Sequence, residues 1–284
     1  MATPVPRPGG LKVPPAAALA CVPGLEDGRA PLALEQLPDG TVNDVYRVDT
    51  AAGRFVLRVD GAEWRRPGVD REREAVLHAL AAAAGLAPPI LRRCPQRGVL
   101  ITPFLPGRTW TPADFADAHQ LLALGGRLAA LHALPPPALR PFDPLGLAAG
   151  YVQAAGHRTA GAGAVARTDV QQVMERLAAA VAVIDAAARP AAIVHGDLVN
   201  TNLLQGERLW LLDFEYAQLA DPAYDVGCVL AYYPAAAAHA AGLLAAACPG
   251  AQVSPAELEA ARAVHAALAW LWHLARGETP VSAP

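Results

Sequence analysis

The segment HGDLVNTNLL, His195 to Leu204, followed by LWLLDFEYA, Leu209 to Ala217, carries the residue types that a metal-assisted phosphoryl transfer needs. Asp197 offers a carboxylate that can orient and deprotonate an attacking hydroxyl, and Asn202, five residues on, offers a neutral oxygen to a metal ion. Asp213 adds a second carboxylate at the exit of the apolar run Leu209 to Leu212, where a Mg²⁺ bridging nucleotide phosphates could be held. Glu215, two residues later, either reaches a second metal ion or faces solvent. Phosphoryl transfer asks little covalent chemistry of a protein. A base, two metal ligands and a cation for the phosphates suffice, because positioning and charge neutralisation supply most of the rate. A lone H-x-D is common, and a buried His-Gly turn with a capping aspartate would use the same letters. Both motifs together, with a hairpin-like Gln205-Gly206-Glu207-Arg208 between two apolar runs, are far harder to produce by chance.

The elements that must position these residues are legible around them. Val45 to Val48 and Arg54 to Val59 are β-rich runs split by Asp49 to Gly53, which reads as a hairpin. Val69 to Ala84 carries Val69, Val76, Leu77 and Leu80 at helical spacing, with its glutamates in the first turns. Ala118 to Leu134 is the clearest helix, with Leu121, Leu122, Leu124, Leu128 and Leu131 along it and Pro135-Pro136-Pro137 to stop it. His132 on that helix reads as a core or cap residue. The Gly/Ala-rich stretch Gly156 to Thr168 is expected to be mobile.

A net charge of −3 leaves no electrostatic footprint for nucleic acid. The four cysteines show no C-x-x-C spacing, so neither a zinc site nor a disulfide scaffold is indicated, and a reduced, cytoplasmic protein is the default. Residues 1–30 read as a flexible Pro/Gly/Ala-rich leader ending in a short helix. Ala18 to Cys21 looks faintly like a lipoprotein cleavage site after Lys12, but Pro14-Pro15 interrupts its apolar run. Gly227 to Gly250 lacks Asp, Glu, Lys and Arg and is long enough to span a bilayer. Pro234 and His239 near its middle, and alanine in place of leucine, argue instead for two buried helices broken at Pro234, with no membrane partner.

The chain resembles the kinase-like small-molecule phosphotransferases, which include aminoglycoside phosphotransferases and the choline, ethanolamine and thiamine kinases. DFEYAQLADPAYDVG, Asp213 to Gly227, is similar to the choline-kinase branch in particular. LPDGTVNDVYRV, FVLRVDG and VDREREAVLHALAAAAGLAPPIL resemble that branch's first strand pair, helix and following strand entry, so the likeness runs from about Leu34 to Asp225. It implies an α+β, bilobal protein kinase-like fold: residues 31–104 as a small antiparallel-sheet N-lobe with one helix, and residues 105–284 as a larger helical C-lobe.

The resemblance also implies ATP and Mg²⁺ as cofactors, with Asp197 as base and Asn202 and Asp213 as metal ligands. Arg58 stands where protein kinases place a phosphate-gripping lysine, the chain's single lysine being Lys12. A guanidinium keeps its charge at any working pH and holds two oxygens with a planar fork. Glu74, rather than Glu72, is its expected orienting partner, although the helix dipole would favour both carboxylates in any case. The loop Pro38 to Asn43, with Gly40, Thr41 and Asn43, would cover the nucleotide using one glycine where protein kinases have three. Pro103 to Gly107 would be the hinge, with Phe104 and Leu105 meeting adenine through their backbones. Asp225 would brace the catalytic loop, and His195 would pack beneath it.

The implied substrate is a small hydroxyl compound, a choline-, ethanolamine- or thiamine-like amino alcohol, for which Trp270, Trp272 and Tyr232 could supply aromatic faces. Trp270 and Trp272 are two apart on one helix and cannot both face one pocket. An aminoglycoside or sugar acceptor is the alternative among enzymes, and a nucleotide-binding pseudokinase regulating a partner is the alternative from another class.

Overall fold

Between Asp44 and Val59 the buried apolar positions fall on alternate residues, Tyr46 and Val48 on one run and Phe55 and Leu57 on the next, which is the pattern of strands with one face on a core. The computed structural model describes residues 14–37, 43–61, 66–158 and 167–278. Gly40 and Thr41 of the expected nucleotide-covering loop, Lys12, and residues 159–166 of the expected mobile stretch lie outside the described residues. Contacts divide the chain into two units, Met1–Arg66 with Pro88–Pro106, and Pro67–Ala87 with Gly107–Pro284.

Among the described residues the smaller unit holds a short helix α1 (Ala16–Leu19) and five strands: β1 (Ala33–Gln36), β2 (Asp44–Thr50), β3 (Gly53–Val59), β4 (Arg92–Cys94) and β5 (Val99–Pro103). Every pairing is antiparallel, in the order β1-β2-β3-β5-β4. Arg58 therefore lies on the central strand, opposite Val45 on β2 and Leu100 on β5. The expectation of a flexible leader needs correction from Pro14 onward. Ala18, Cys21, Val22 and Leu25 are buried in this unit's core, and Arg92 and Arg97 donate to the Cys21 and Ala17 carbonyls at 3.0 and 2.8 Å. Their i, i+3, i+4, i+7 spacing is an amphipathic signature that the flanking prolines obscure.

The larger unit begins with α2 (Arg71–Ala83), whose N-cap Asp70 accepts from the Glu72 and Arg73 backbone N–H groups. Sequence placed this helix in the N-lobe, whereas its contacts group it with the larger unit. Leu77 and Ala81 on it, with Leu86 and Ala87 beyond it, share a core with Leu121, Leu124 and Phe214. The chain continues through β6 (Arg108–Thr109), α3 (Ala118–His132), α4 (Pro144–Arg158), α5 (Arg167–Ala186), β7 (Ala192–Val194), β8 (Leu203–Gln205), β9 (Leu209–Leu211) and β10 (Gln218–Ala220). It ends in α6 (Ala223–Tyr232), α7 (Ala240–Ala247) and α8 (Pro255–Ala275). Two small sheets frame the key loop: β7 pairs with β10, and β8 pairs with β6 and β9.

The alanine-rich composition serves close helix packing. A Cβ on Gly227 of α6 would stand 2.5 Å from the Ala261 carbonyl carbon of α8, so the two helices touch backbone to backbone. The uncharged stretch from Gly227 is broken at Pro234, where a 3₁₀ turn, Pro234–His239, separates α6 from α7. Among the described residues no helix is long and apolar enough to cross a membrane.

Candidate active site

The loop from His195 to Asn202 leaves β7 of one small sheet and enters the other at β8. Gly196 has φ +75°, and a Cβ there would lie 2.6 Å from the Tyr216 carbonyl oxygen, so both conformation and space require glycine. Beyond it the loop is tied down at Leu198 and Asn200. Leu198 N–H donates to the Cys228 thiol sulfur at 3.3 Å and Asn200 N–H to the Tyr233 hydroxyl at 2.6 Å, while that hydroxyl donates back to Asn200 Oδ1 at 2.9 Å. Asn200 Nδ2 donates to the Trp110 carbonyl at 3.0 Å.

Asp225, fully buried on α6, accepts from His195 N–H at 3.0 Å and Gly196 N–H at 2.9 Å. Both are charge-assisted hydrogen bonds from the loop backbone. Its partner is a residue that sequence reading left as a core or cap histidine. His132 Nε2 lies 2.9 Å from Asp225 Oδ2, and its Nδ1 lies 3.1 Å from the Ala247 carbonyl. A carboxylate and a carbonyl can only accept, so both ring nitrogens donate and the ring is an imidazolium. Burial opposes that charge, but hydrogen bonds to Asp225 and Cys248 and the charge of Asp225 outweigh it and raise the His132 pKa to about 9. For Asp225 burial likewise works against ionisation, and the His132 hydrogen bond and charge, with Gly196 N–H, hold its pKa below the ordinary value. The available signal was the position of His132 four residues after Leu128 and eight after Leu124, on the face of α3 that those residues bury.

His195 has the opposite protonation. Its Nε2 is 2.8 Å from the Leu212 carbonyl and so carries the proton, and its Nδ1 faces the Asp197 N–H at 3.4 Å. Complete burial lowers its pKa, and the ring stays neutral. With both nitrogens engaged it props the loop from below.

Asp197 is half-buried. Asn202 Nδ2 donates to the Asp197 carbonyl at 2.9 Å and to its Oδ2 at 3.1 Å, so the amide nitrogen is turned to Asp197 and the amide oxygen is the end suited to a cation. Leu212 N–H donates to the Asn202 carbonyl at 2.8 Å. Leu212 is thereby fixed on one side by His195 and on the other by Asn202, which places Asp213 next in line. Asp213 has φ +57°, a left-handed conformation that few residues other than glycine adopt.

Glu215 is buried at 3% exposure, and its Oε2 lies 3.1 Å from Arg71 Nη1. The same nitrogen lies 2.8 Å from Glu74 Oε2. Arg71 thus joins two of the expected site carboxylates. Among the described residues no group of three or more His, Cys, Asp or Glu side chains could hold a metal by itself. A Mg²⁺ that keeps waters and shares phosphate oxygens needs only one or two protein ligands, and an amide oxygen with one carboxylate meets that requirement.

In the smaller unit, Arg58 is buried at 8% exposure and Asn43 at 4%. Phe104 donates its N–H to the Arg54 carbonyl at 3.0 Å, and the Arg47 guanidinium stands 5.0 Å from its ring centroid; Leu105 follows, half-buried. Of the aromatic candidates, Trp270 packs into the core built by α4, α5 and α8. Trp272 Nε1 donates to the Tyr216 hydroxyl at 3.2 Å. Tyr232 is 39% exposed, yet its hydroxyl end is pushed well above the usual range by burial and by the nearby charge of Asp197.

This geometry belongs to a phosphotransferase of the protein kinase-like α+β class, and the comparisons agree. The sequence matches the phosphotransferase enzyme family over residues 33–260, and the chain belongs to that family. Its acceptor is accordingly a hydroxyl group. A search of curated protein sequences finds no significant match. Among solved structures, a choline/ethanolamine kinase family protein from Mesorhizobium loti is similar at 28% identity and TM-score 0.72, over 94% of this chain and 87% of that one. The choline kinase LicA from Streptococcus pneumoniae is similar in fold at 17% identity and TM-score 0.73, over 89% and 88%. The aminoglycoside phosphotransferase APH(4)-Ia, solved with ADP and hygromycin B, is similar at 17% identity and TM-score 0.63, over 89% and 90%.

Proposed function

We propose that this protein is an ATP- and Mg²⁺-dependent kinase of a small amino alcohol of the choline, ethanolamine or thiamine type. The observation that carries the catalytic part is the Asn202 amide, which holds Asp197 by its nitrogen and leaves its oxygen for a cation. In this reading the Asp197 carboxylate takes the proton of the substrate hydroxyl as that oxygen bonds to the γ-phosphorus and ADP leaves. Asn202 and Asp213 hold Mg²⁺, which when bound neutralises charge on the phosphates. Arg58 and Asn43, with Gly40 and Thr41, serve the phosphates, and Phe104 and Leu105 the adenine. His195 and Asp225 act on geometry alone.

Two observations support a cationic alcohol as acceptor. The Mesorhizobium loti relative belongs to the choline/ethanolamine kinase family. In addition, aromatic side chains lie together in the larger unit: a Cβ on Gly68 would meet Tyr216 at 3.2 Å and Tyr151 at 3.5 Å, Trp272 Nε1 donates to the Tyr216 hydroxyl, and burial followed by the charge of Asp197 raises the Tyr232 pKa. Rings around a quaternary ammonium are worth about 0.5 to 2 kcal/mol each. The core position of Trp270 leaves Trp272 as the tryptophan suited to this role.

The test is ATP turnover against choline, ethanolamine, thiamine, sugars and aminoglycosides. The amino alcohols should show the higher kcat/KM. The reverse order would promote the aminoglycoside or sugar kinase, a reading that the fold of APH(4)-Ia keeps in view. Nucleotide binding without turnover of any acceptor would indicate a pseudokinase.

A further inference from the structure

Arg71 joins two buried carboxylates through one nitrogen. Its Nη1 is 2.8 Å from Glu74 on α2 and 3.1 Å from Glu215, two residues past Asp213, and the three side chains are 12%, 4% and 4% exposed. The next arginine repeats the connection through the backbone: Arg73 Nη2 donates to the Gly68 carbonyl and, at 3.4 Å, to the Glu215 carbonyl. The turn that carries Asp213 is therefore fastened to the first turn of α2 by side chain and main chain together.

We propose that Arg71 is a positioning residue for the metal end of the site: it clamps Glu215 to α2 and so sets the number of carboxylates presented beside Asn202 at one, Asp213, rather than two. This rests on the assignment of Asn202 and Asp213 as metal ligands. The physical ground is competition for a buried charge. A guanidinium holding two desolvated carboxylates is displaced only at a large cost, because one like-charged pair would be left facing itself in a medium of low dielectric. A cation that recruited Glu215 would have to strip it from Arg71 and leave Glu74 bound to the same nitrogen. Mg²⁺ sheds its own waters reluctantly and gains little from that exchange. Without the guanidinium, Glu215 and Glu74 would instead draw a divalent cation toward themselves, off the line set by Asn202 and Asp213.

The test reads metal binding apart from catalysis, by electron paramagnetic resonance of free Mn²⁺ in titrations of the nucleotide-free protein. Arg71→Met should bind Mn²⁺ about tenfold tighter than wild type, as expected for an added carboxylate ligand. Arg71→Met combined with Glu215→Gln should return to the wild-type affinity. In turnover assays Arg71→Met should reach half-maximal rate at lower Mg²⁺ while kcat falls, a split that general destabilisation of α2 would not produce. Arg71→Lys should fall between, and it keeps the idea testable should Arg71→Met fail to fold. Unchanged Mn²⁺ affinity in the Arg71 variants, or a gain that Glu215→Gln does not reverse, would overturn the clamp. Wild-type Mn²⁺ binding indifferent to Asp213→Asn would overturn the metal assignment instead, which separates the two failures.

Discussion

His195 and Asp197 stand two residues apart in one loop and are treated in opposite ways. Every polar atom of the His195 ring is engaged by backbone, its amide is held by Asp225, and burial keeps the ring neutral. Asp197 keeps a half-exposed carboxylate touched by an amide that can follow it. The lower face of the loop consists of committed hydrogen bonds, and the upper face of groups able to change partner or proton. A site of this kind separates stability from chemistry, so substitutions on the two faces should fail in different ways.

The largest effect is expected on the upper face. Asp197→Asn should lower kcat at least about a hundredfold while Tm and ATP affinity stay near wild type. Asp213→Asn should in addition weaken Mg²⁺-dependent nucleotide binding. Near-normal turnover of Asp197→Asn in a steady-state assay would erase the distinction between the faces.

Asp225→Ala comes next and should fail through the fold. It strands the His132 imidazolium and two loop N–H groups in the interior, a loss of about 3 to 5 kcal/mol for a broken buried pair. Thermal unfolding should show the drop in Tm, and activity should fall with it. A variant with unchanged Tm would mean that the lower face is not held as the geometry indicates.

Arg58 tests whether a third region, the central strand of the smaller unit, belongs with the upper face. Arg58→Ala should raise the KM for ATP and slow turnover, and Arg58→Lys should recover part of the loss, since a point charge lacks the bidentate grip. Full activity in Arg58→Ala would place the phosphate cation elsewhere.

The smallest effect is expected at His132. His132 has a folded pKa raised to about 9, above its unfolded value, so its contribution to stability is complete below about pH 6.5 and is lost as pH rises through 9. Tm should therefore fall between neutral pH and pH 10 in the wild type, and fall less in His132→Gln. Equal slopes in differential scanning calorimetry would show that His132 is not the cation assigned to it.

Much of this was legible in the sequence because it is local. The hairpin of β2 and β3, the helix α3, the turn between β8 and β9 and the break at Pro234 all follow from spacing within a few residues. The chemical letters Asp197, Asn202 and Asp213 were legible for the same reason. What escaped depends on distant partners. His132 acquires its charge from a residue on α6, and Arg71 acquires its role from Glu215, far along the chain. The placement of α2 with the larger unit was hidden because an apolar helix face does not state which core it enters. The leader misled for a related reason: prolines around Ala18 to Leu25 suggest disorder, although the apolar spacing there was that of a buried segment.

The backbone of Asp213 carries a consequence for how such a chain can change over time. At φ +57° an L-residue gives up about 1 to 2 kcal/mol, aspartate and asparagine tolerate the conformation better than most, and glycine adopts it freely. The substitutions that would sit there at ease are glycine and asparagine, and neither brings an ionised carboxylate. Backbone ease and the metal role proposed for Asp213 thus point in opposite directions at one position, and Asp213→Gly should keep the fold in thermal unfolding while losing turnover. A lineage released from selection for turnover would lose the proposed reason to keep an aspartate here, so glycine or asparagine at this point in a related chain is where loss of the reaction should first be looked for.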